Sequence, residues 1–419
     1  MLSRLQPALV RGFSSKKSPK VLSAIEREYR YGAHNYKPVP VVLEKGEGIY
    51  VYDVDGKRYF DFLSGYSSVS QGHCHPRLQK VFKEQAGKLT MTSRAFHTKD
   101  LGKYEEYITK LLKFDKVLPM NTGAEACETA IKLARRWAYE VKKVPKNQAK
   151  MVFARGNFMG RTIAVISASS DPDNYGGYGP FVPNMELVPY DDLIALEKSI
   201  SDPNTAAFMV EPIQGEAGVI LPSPGYLKAV RELCTKYNVL MIADEVQTGL
   251  ARTGKMLCVD HDSVKPDIVT LGKALSGGYY PVSAILANDP VMLVIKPGQH
   301  GSTYGGNPLA ARIATEALKI LVEENLAENA AKQGDYLLEK LKTLPKDVVP
   351  EVRGKGLLTA ISINPKIDGY QLCCRLAENG LITKNTHATN IRFAPPLTIT
   401  KPEIDEAFAV IEKVIKSYA

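Results

Sequence analysis

From about Pro76 to Glu323 the chain alternates between two periodicities. In "DLGKYEEYITKLLKF" apolar residues recur at spacings of three and four, and "AEACETAIKLARRWAYEVKK" repeats that pattern over a longer span, so both predict amphipathic helices. Between and after them lie short apolar runs, in "KMVFARGNF", "AAFMVEP", "VLMIADE" and "DIVTLGK", while "KVLPMNTG" reads as a strand running into a turn. Runs that short predict strands buried on both faces, and their alternation with helices predicts an α/β fold with a mostly parallel sheet covered on both sides. Ahead of this region, "GIYVYDVDGKRYFDFLSG" predicts a β-hairpin turning at Asp55-Gly56. After Asn307-Pro308, "LAARIATEALKILVEENLAENAAKQGDYLLEKLKTL" is rich in helix formers. Strands in "GLLTAISI", "GLITKN" and "NIRFAPPL" and a final helix complete a smaller α+β domain.

The 419 residues exceed what one hydrophobic core usually holds, so the chain divides into a leader at 1–20, an N-terminal segment with the hairpin at 21–75, a large domain at 76–323 and a small domain at 324–419. The net charge of +9 is unevenly placed: Arg4, Arg11, Lys16, Lys17 and Lys20 supply +5 before the first acid, Glu26, leaving a body of only +4. An acid-free leader rich in Arg, Ser and Leu, amphipathic through Leu2, Leu5, Leu9 and Phe13, has the composition of a mitochondrial transit peptide, the other reading being a disordered basic arm. Without it, no basic stripe interleaved with aromatics remains to bind nucleic acid. No apolar run approaches the roughly 18 to 20 residues of a membrane-spanning helix. The six cysteines form no CxxC, which fits free thiols. "GHCHP" sets His73 and His75 around Cys74 but lacks a second cluster, so no metal site is expected.

Polar residues gather at the carboxyl ends of the buried strands, where ligands of such sheets sit. "MNTGAEA" leads from strand to helix through Thr122 and Gly123, so the free amides of Gly123 and Ala124 form a phosphate cradle or simply a tight turn. Asp244 and Glu245 follow an apolar run and point to opposite faces. A carboxylate in that position needs a cation, supplied either by a ligand or by an ordinary salt bridge. Lys273 closes the next strand, in "PDIVTLGKALSGGYYPVSAI", with no acid between Asp267 and Asp289. Desolvation lowers a lysine pKa and leaves the neutral amine that carbonyl chemistry requires. An acid, a neutral amine and a phosphate cradle together suit pyridoxal 5'-phosphate, an aldehyde that carries a ring nitrogen and a phosphate.

Three further segments, "ADEVQTGLARTG", "LGKALSGGYYPVSA" and "STYGGNPLA", make the chain resemble fold-type-I pyridoxal-phosphate aminotransferases that act on ω-amines. The segments "EREYRYGAHNYKPVPV", "QGHCHP", "LPMNTGAEACETA", "MVEPIQGEAGV", "KPGQHGSTYGGNP" and "IRFAPPL" narrow the resemblance to members that take ornithine, from about Ile25 to the C-terminus. The resemblance implies that Lys273 is the lysine that carries the cofactor and that Asp244 partners the pyridinium nitrogen. By the same resemblance Gln247 touches the ring hydroxyl, Phe158 stacks on the ring, and Gly123 and Ala124 bind the phosphate. Ser302 and Thr303 are similar to a pair that reaches the phosphate from a neighbouring subunit, which implies a homodimer. Tyr36 and Arg161 resemble the grip on the α-carboxylate, with Tyr66 lining the pocket. Two departures stand out: Met159, where relatives more often carry an aromatic or histidine, and Gly65 beside Tyr66.

The activity so implied is transfer of the δ-amine of L-ornithine to 2-oxoglutarate, giving glutamate 5-semialdehyde and glutamate in two half-reactions. One pocket must then accept a carboxylate at the reacting carbon in one half-reaction and none in the other. Arg392 would hold that carboxylate, and Glu216 would be its removable counter-ion, unless the two form a permanent structural pair. Acetylornithine or 4-aminobutyrate are the alternative substrates, and Tyr36 argues against both.

Overall fold

The computed structural model describes residues 18–419, so the leader expected at 1–20 lies almost wholly outside the described residues. The first described element is a helix at Pro19–Tyr31, entered through the side chain of Ser18 with Pro19 at its first position. Three strands follow: β1 (Leu43–Glu47), β2 (Tyr50–Asp53) and β3 (Arg58–Asp61). The expected hairpin is β2 and β3, turning at Asp55-Gly56, and β1 adds a third antiparallel strand.

The central sheet is built from β4 (Lys116–Met120), β5 (Lys150–Ala154), β6 (Met185–Val188), β7 (Thr205–Val210), β8 (Leu240–Asp244), β9 (Ile268–Leu271) and β10 (Ser283–Ala287). Their order is β4-β10-β9-β8-β7-β5-β6, with β10 antiparallel to both neighbours and every other pairing parallel. The mostly parallel sheet is therefore borne out. Successive residues along β8 enter alternate cores: Leu240 and Ile242 pack on one side of the sheet, Met241 and Ala243 on the other. This is the two-residue period of a strand buried on both faces.

The helix Gly123–Trp137 covers the first of those sides, while Leu227 and Val230 of the helix Tyr226–Lys236 and Ile313, Ala314 and Ala317 of the helix Pro308–Glu323 pack on the second. Phe153 and Phe208 are fully buried from opposite sides, and truncating either to alanine would cost about 3 to 5 kcal/mol.

Beyond the helices Pro308–Glu323 and Leu326–Lys342, strands β11 (Glu351–Lys355), β12 (Leu358–Ser362), β13 (Leu381–Ile382), β14 (Lys384–Thr386) and β15 (Asn390–Phe393) precede a last helix at Lys401–Lys416. Four of them form an antiparallel sheet in the order β11-β12-β15-β14. The remaining strand, β13, pairs in parallel with β3, setting Leu381 beside Phe60, so the N-terminal hairpin and the C-terminal region share one sheet. No helix among the described residues is long and apolar enough to cross a membrane.

Candidate active site

Asp244 is the last residue of β8, and the alternation along that strand turns it toward the side covered by the helix Gly123–Trp137. Its Oδ1 accepts hydrogen bonds from the Val246 amide at 3.1 Å and the Thr270 hydroxyl at 2.9 Å, and its Oδ2 faces the Cys127 thiol at 3.5 Å. A buried carboxylate with one oxygen met only by a weak thiol donor leaves room for a stronger donor. Burial raises its pKa, against the pull of these donors and of Lys273. Glu245 turns the other way, onto the Thr248 hydroxyl and the Val259 amide, as adjacent strand residues must.

Glu211 stands in the same position on the neighbouring strand. Val210 of β7 pairs with Ala243 of β8, so the residues that follow, Glu211 and Asp244, end adjacent parallel strands on the same side. Burial and the nearby Asp244 charge raise the Glu211 pKa. Burial and the like charge disfavour ionising both carboxyl groups until a cation arrives. Glu211 also accepts hydrogen bonds from the amides of Phe158, at 3.0 Å, and Gly215, at 3.3 Å. The sequence reading missed Glu211, although "AAFMVEP" carries the same signal as "VLMIADE", an acid directly after an apolar run.

Lys273 follows β9 and is partly buried, with φ of 42° in the left-handed region. That is an uncommon conformation for a residue with a side chain and one concentrated at functional sites. Lys273 forms no ion pair among the described residues. Desolvation lowers its pKa, opposed by Glu216, Asp244 and Glu211 and aided by Arg392. The amine is thus held toward its neutral form within the field of the other site groups.

The helix Gly123–Trp137 begins with a capping box in which Thr122 and Glu125 satisfy each other's backbone amides. The amides of Gly123 and Ala124 in its first turn have no intrahelical acceptor. A Cβ at Gly123 would lie 3.0 Å from the Val246 side chain, so glycine permits close packing against the segment after Asp244. Ser302 accepts a hydrogen bond from Asn121 of its own chain at 2.8 Å, while Thr303 is exposed beside a hollow of about 500 Å³.

The second group centres on Arg392 of β15, only 1% exposed. Its Nη1 donates to Glu216 Oε1 and to Gln247 Oε1, both at 2.8 Å, and Gln247 Nε2 donates to the same Glu216 oxygen at 3.2 Å. Burial pushes the Glu216 pKa up, but Arg392, Lys273 and Gln247 outweigh it and the result is a lowered value. The Arg392 guanidinium lies over the Tyr66 ring at 5.1 Å. Gly65 and Tyr66 both take left-handed φ, 56° and 59°, so the glycine beside Tyr66 suits the backbone it occupies.

Arg161 is exposed, lies over the Phe158 ring at 5.3 Å and donates to Asn174. Tyr36 is 76% exposed on a segment with neither helix nor strand, close enough to Tyr66 to affect its ionisation. Met159 is buried in the core beneath the sheet with Val165 and Ile166. His73 pairs with Asp61 and His75 with Glu324, and no cluster suited to a metal occurs among the described residues. Cys127, Thr270 and Asn174 are contacts that the sequence reading did not single out.

These groups fit a phosphorylated pyridine aldehyde. A helix start offers amides for a phosphate, the Asp244 oxygen opposite Cys127 can accept a ring N–H, and the Lys273 amine, its pKa lowered by burial, stands within the field of both acids. Residues 31–415 match the class-III aminotransferase family. A probable mitochondrial ornithine aminotransferase of Caenorhabditis elegans is 62% identical, with 100% of this chain and 98% of that protein covered. The mitochondrial ornithine aminotransferase of Drosophila melanogaster is 65% identical over 93% of this chain and 91% of that protein. The solved ornithine aminotransferase of Toxoplasma gondii superposes with a TM-score of 0.94 at 46% identity, covering 99% and 98% of the two chains. With a match that runs through both sheets of the site and nearly the whole described chain, this protein belongs to the class-III aminotransferases.

Proposed function

We propose that the chain is a pyridoxal-phosphate-dependent aminotransferase that moves the δ-amine of L-ornithine to 2-oxoglutarate. The observation that carries this reading is the buried Arg392–Glu216 pair. A guanidinium neutralised by one carboxylate suits a pocket whose reacting carbon bears a carboxylate in only one of its two substrates.

When bound, the cofactor supplies the electron sink that lets a C–H bond beside nitrogen break. Asp244 would hold a proton on the ring nitrogen, and Glu211, its pKa raised by burial and by Asp244, would stand protonated beside it. Phe158 would lie against the ring, Gln247 would contact the ring hydroxyl, and the Gly123 and Ala124 amides would take the phosphate. Lys273 Nζ would act as the base that takes the proton from the δ-carbon of ornithine and then as the acid that gives it back. Tyr36 and Arg161 hold the α-carboxylate at the far end, and Tyr66 lines the wall between the two ends. With ornithine bound, Glu216 remains on Arg392. With 2-oxoglutarate bound, the substrate α-carboxylate displaces Glu216 and takes the guanidinium.

The same reading makes the protein a homodimer in which Ser302 and Thr303 reach the partner's phosphate, and divides the chain at 75/76 and 323/324. The basic leader and the mitochondrial relatives support import, with the matrix as the destination.

The test is Glu216→Ala, assayed by single-turnover loss of the bound cofactor's visible absorbance with L-ornithine and with L-glutamate. The ratio of α- to δ-amine transfer rises about tenfold, since Arg392 is left free to hold an α-carboxylate. An unchanged ratio would make the pair a permanent structural one.

A further inference from the structure

The segment that carries Tyr36 has neither helix nor strand of its own, yet it is held by the helix Gly369–Glu378 and by β14 of the small C-terminal sheet. Two residues after Tyr36, the Pro38 carbonyl accepts a hydrogen bond from the Tyr370 hydroxyl at 2.9 Å. Between them, the Lys37 carbonyl accepts from Lys384 Nζ, and the Lys37 amine lies over the Tyr370 ring at 4.1 Å. Lys384 Nζ lies 5.0 Å from the same ring. Two residues span at most about 7 Å of chain, so these contacts determine where Tyr36 can stand.

Lys384 begins β14, and the residue that ends this short strand faces the opposite end of the pocket. Thr386 donates its hydroxyl hydrogen to the backbone carbonyl of Glu216. Lys384 is paired across the sheet with Arg392, and Thr386 with Asn390. Asn390 Oδ1 in turn accepts from Arg353, whose Nε also holds the Gly218 carbonyl at 2.8 Å, so the loop after Glu216 is gripped from the same sheet.

We infer that β14 is a positioning strand that sets the working length of the pocket: Lys384, with Tyr370, places Tyr36 at the carboxylate end, and Thr386 seats Glu216 on Arg392 at the reacting end. None of these three residues need touch substrate. The inference rests on the reading of Tyr36 as the α-carboxylate grip and of Glu216 as the removable counter-ion.

The test separates the two ends. Tyr370→Phe and Lys384→Met each raise KM for L-ornithine about fivefold with kcat nearly unchanged, the loss expected for one positioning hydrogen bond. The same variants leave the affinity for putrescine, a diamine of equal length without the carboxylate, unaltered. Thr386→Val leaves the ornithine KM alone and shifts α/δ partition about threefold in the direction of Glu216→Ala. Retention of the cofactor's visible absorbance on dialysis stays at the parent level in all three.

Equal changes for ornithine and putrescine, or none for either, would overturn the inference, because a general loosening has no preference for a carboxylate. Tyr36→Phe, measured alongside, distinguishes the failures. If it leaves the ornithine KM unchanged, the grip assigned to Tyr36 is wrong. If it raises KM while Tyr370→Phe and Lys384→Met do not, only the role of β14 falls.

Discussion

The two ends of the pocket are built differently. At the reacting end Asp244, Glu211, Gln247 and Arg392 are buried, and each is held by at least two hydrogen bonds from strands or from the turns that directly follow them. At the far end Tyr36 and Arg161 are exposed, one on a tethered coil and the other stacked on Phe158. Groups that must keep an unusual charge state are placed where water is excluded and neighbours are fixed. On the proposed reading, the groups that would recognise the rest of the substrate sit on segments that can change without disturbing that machinery.

The sharpest way to break this contrast is to remove the amine. Lys273→Ala lowers turnover by about a thousandfold or more and abolishes the spectral response of the cofactor to L-ornithine, both read in a stopped-flow spectrum. Next in size, Asp244→Asn lowers kcat by about a hundredfold, because an amide cannot hold the proton on the ring nitrogen; the cofactor's absorbance then titrates over a different pH range.

A stability effect follows at Glu245, whose pKa burial raises to about 7. The folded protein holds a proton there that the unfolded chain releases near pH 4.5, so stability falls as pH rises between those values. The loss amounts to about 3 kcal/mol, and Glu245→Gln flattens it in denaturant titrations at pH 5 and 7. The smallest effect belongs to the exposed end: Tyr36→Phe raises KM for L-ornithine about tenfold and spares kcat, as steady-state kinetics would show.

The same division governs what could be read from the sequence. Strands β5, β7, β8 and β9 are buried on both faces and announce themselves as unbroken apolar runs. Strands β1 and β11 lie at sheet edges, and "LEKGE" and "EVRGK" carry the charges that edges favour, so neither stood out. Asp244 and Lys273 were legible because a charge closing an apolar run is conspicuous. Glu211 met the same criterion in "AAFMVEP", and the sequence reading did not single it out. The bonds of Gln247 to Arg392, 145 residues away on the other sheet, and of Cys127, on a covering helix, to Asp244, 117 away, depend on how sheets and helices pack together, which no local pattern encodes.

The parallel pairing of β3 with β13 bears on how the protein is made. Lys57, just before β3, donates to the carbonyl of Glu378, 321 residues further along. During synthesis, or during threading through a translocation pore from the N-terminus, the hairpin emerges first and its outer strand finds its neighbour only when almost the whole polypeptide has followed. Until then β3 presents an open edge, while the central sheet between them can already assemble from nearer segments. Closing the first sheet is therefore a late step, and a chain cut short before residue 381 keeps that edge bare.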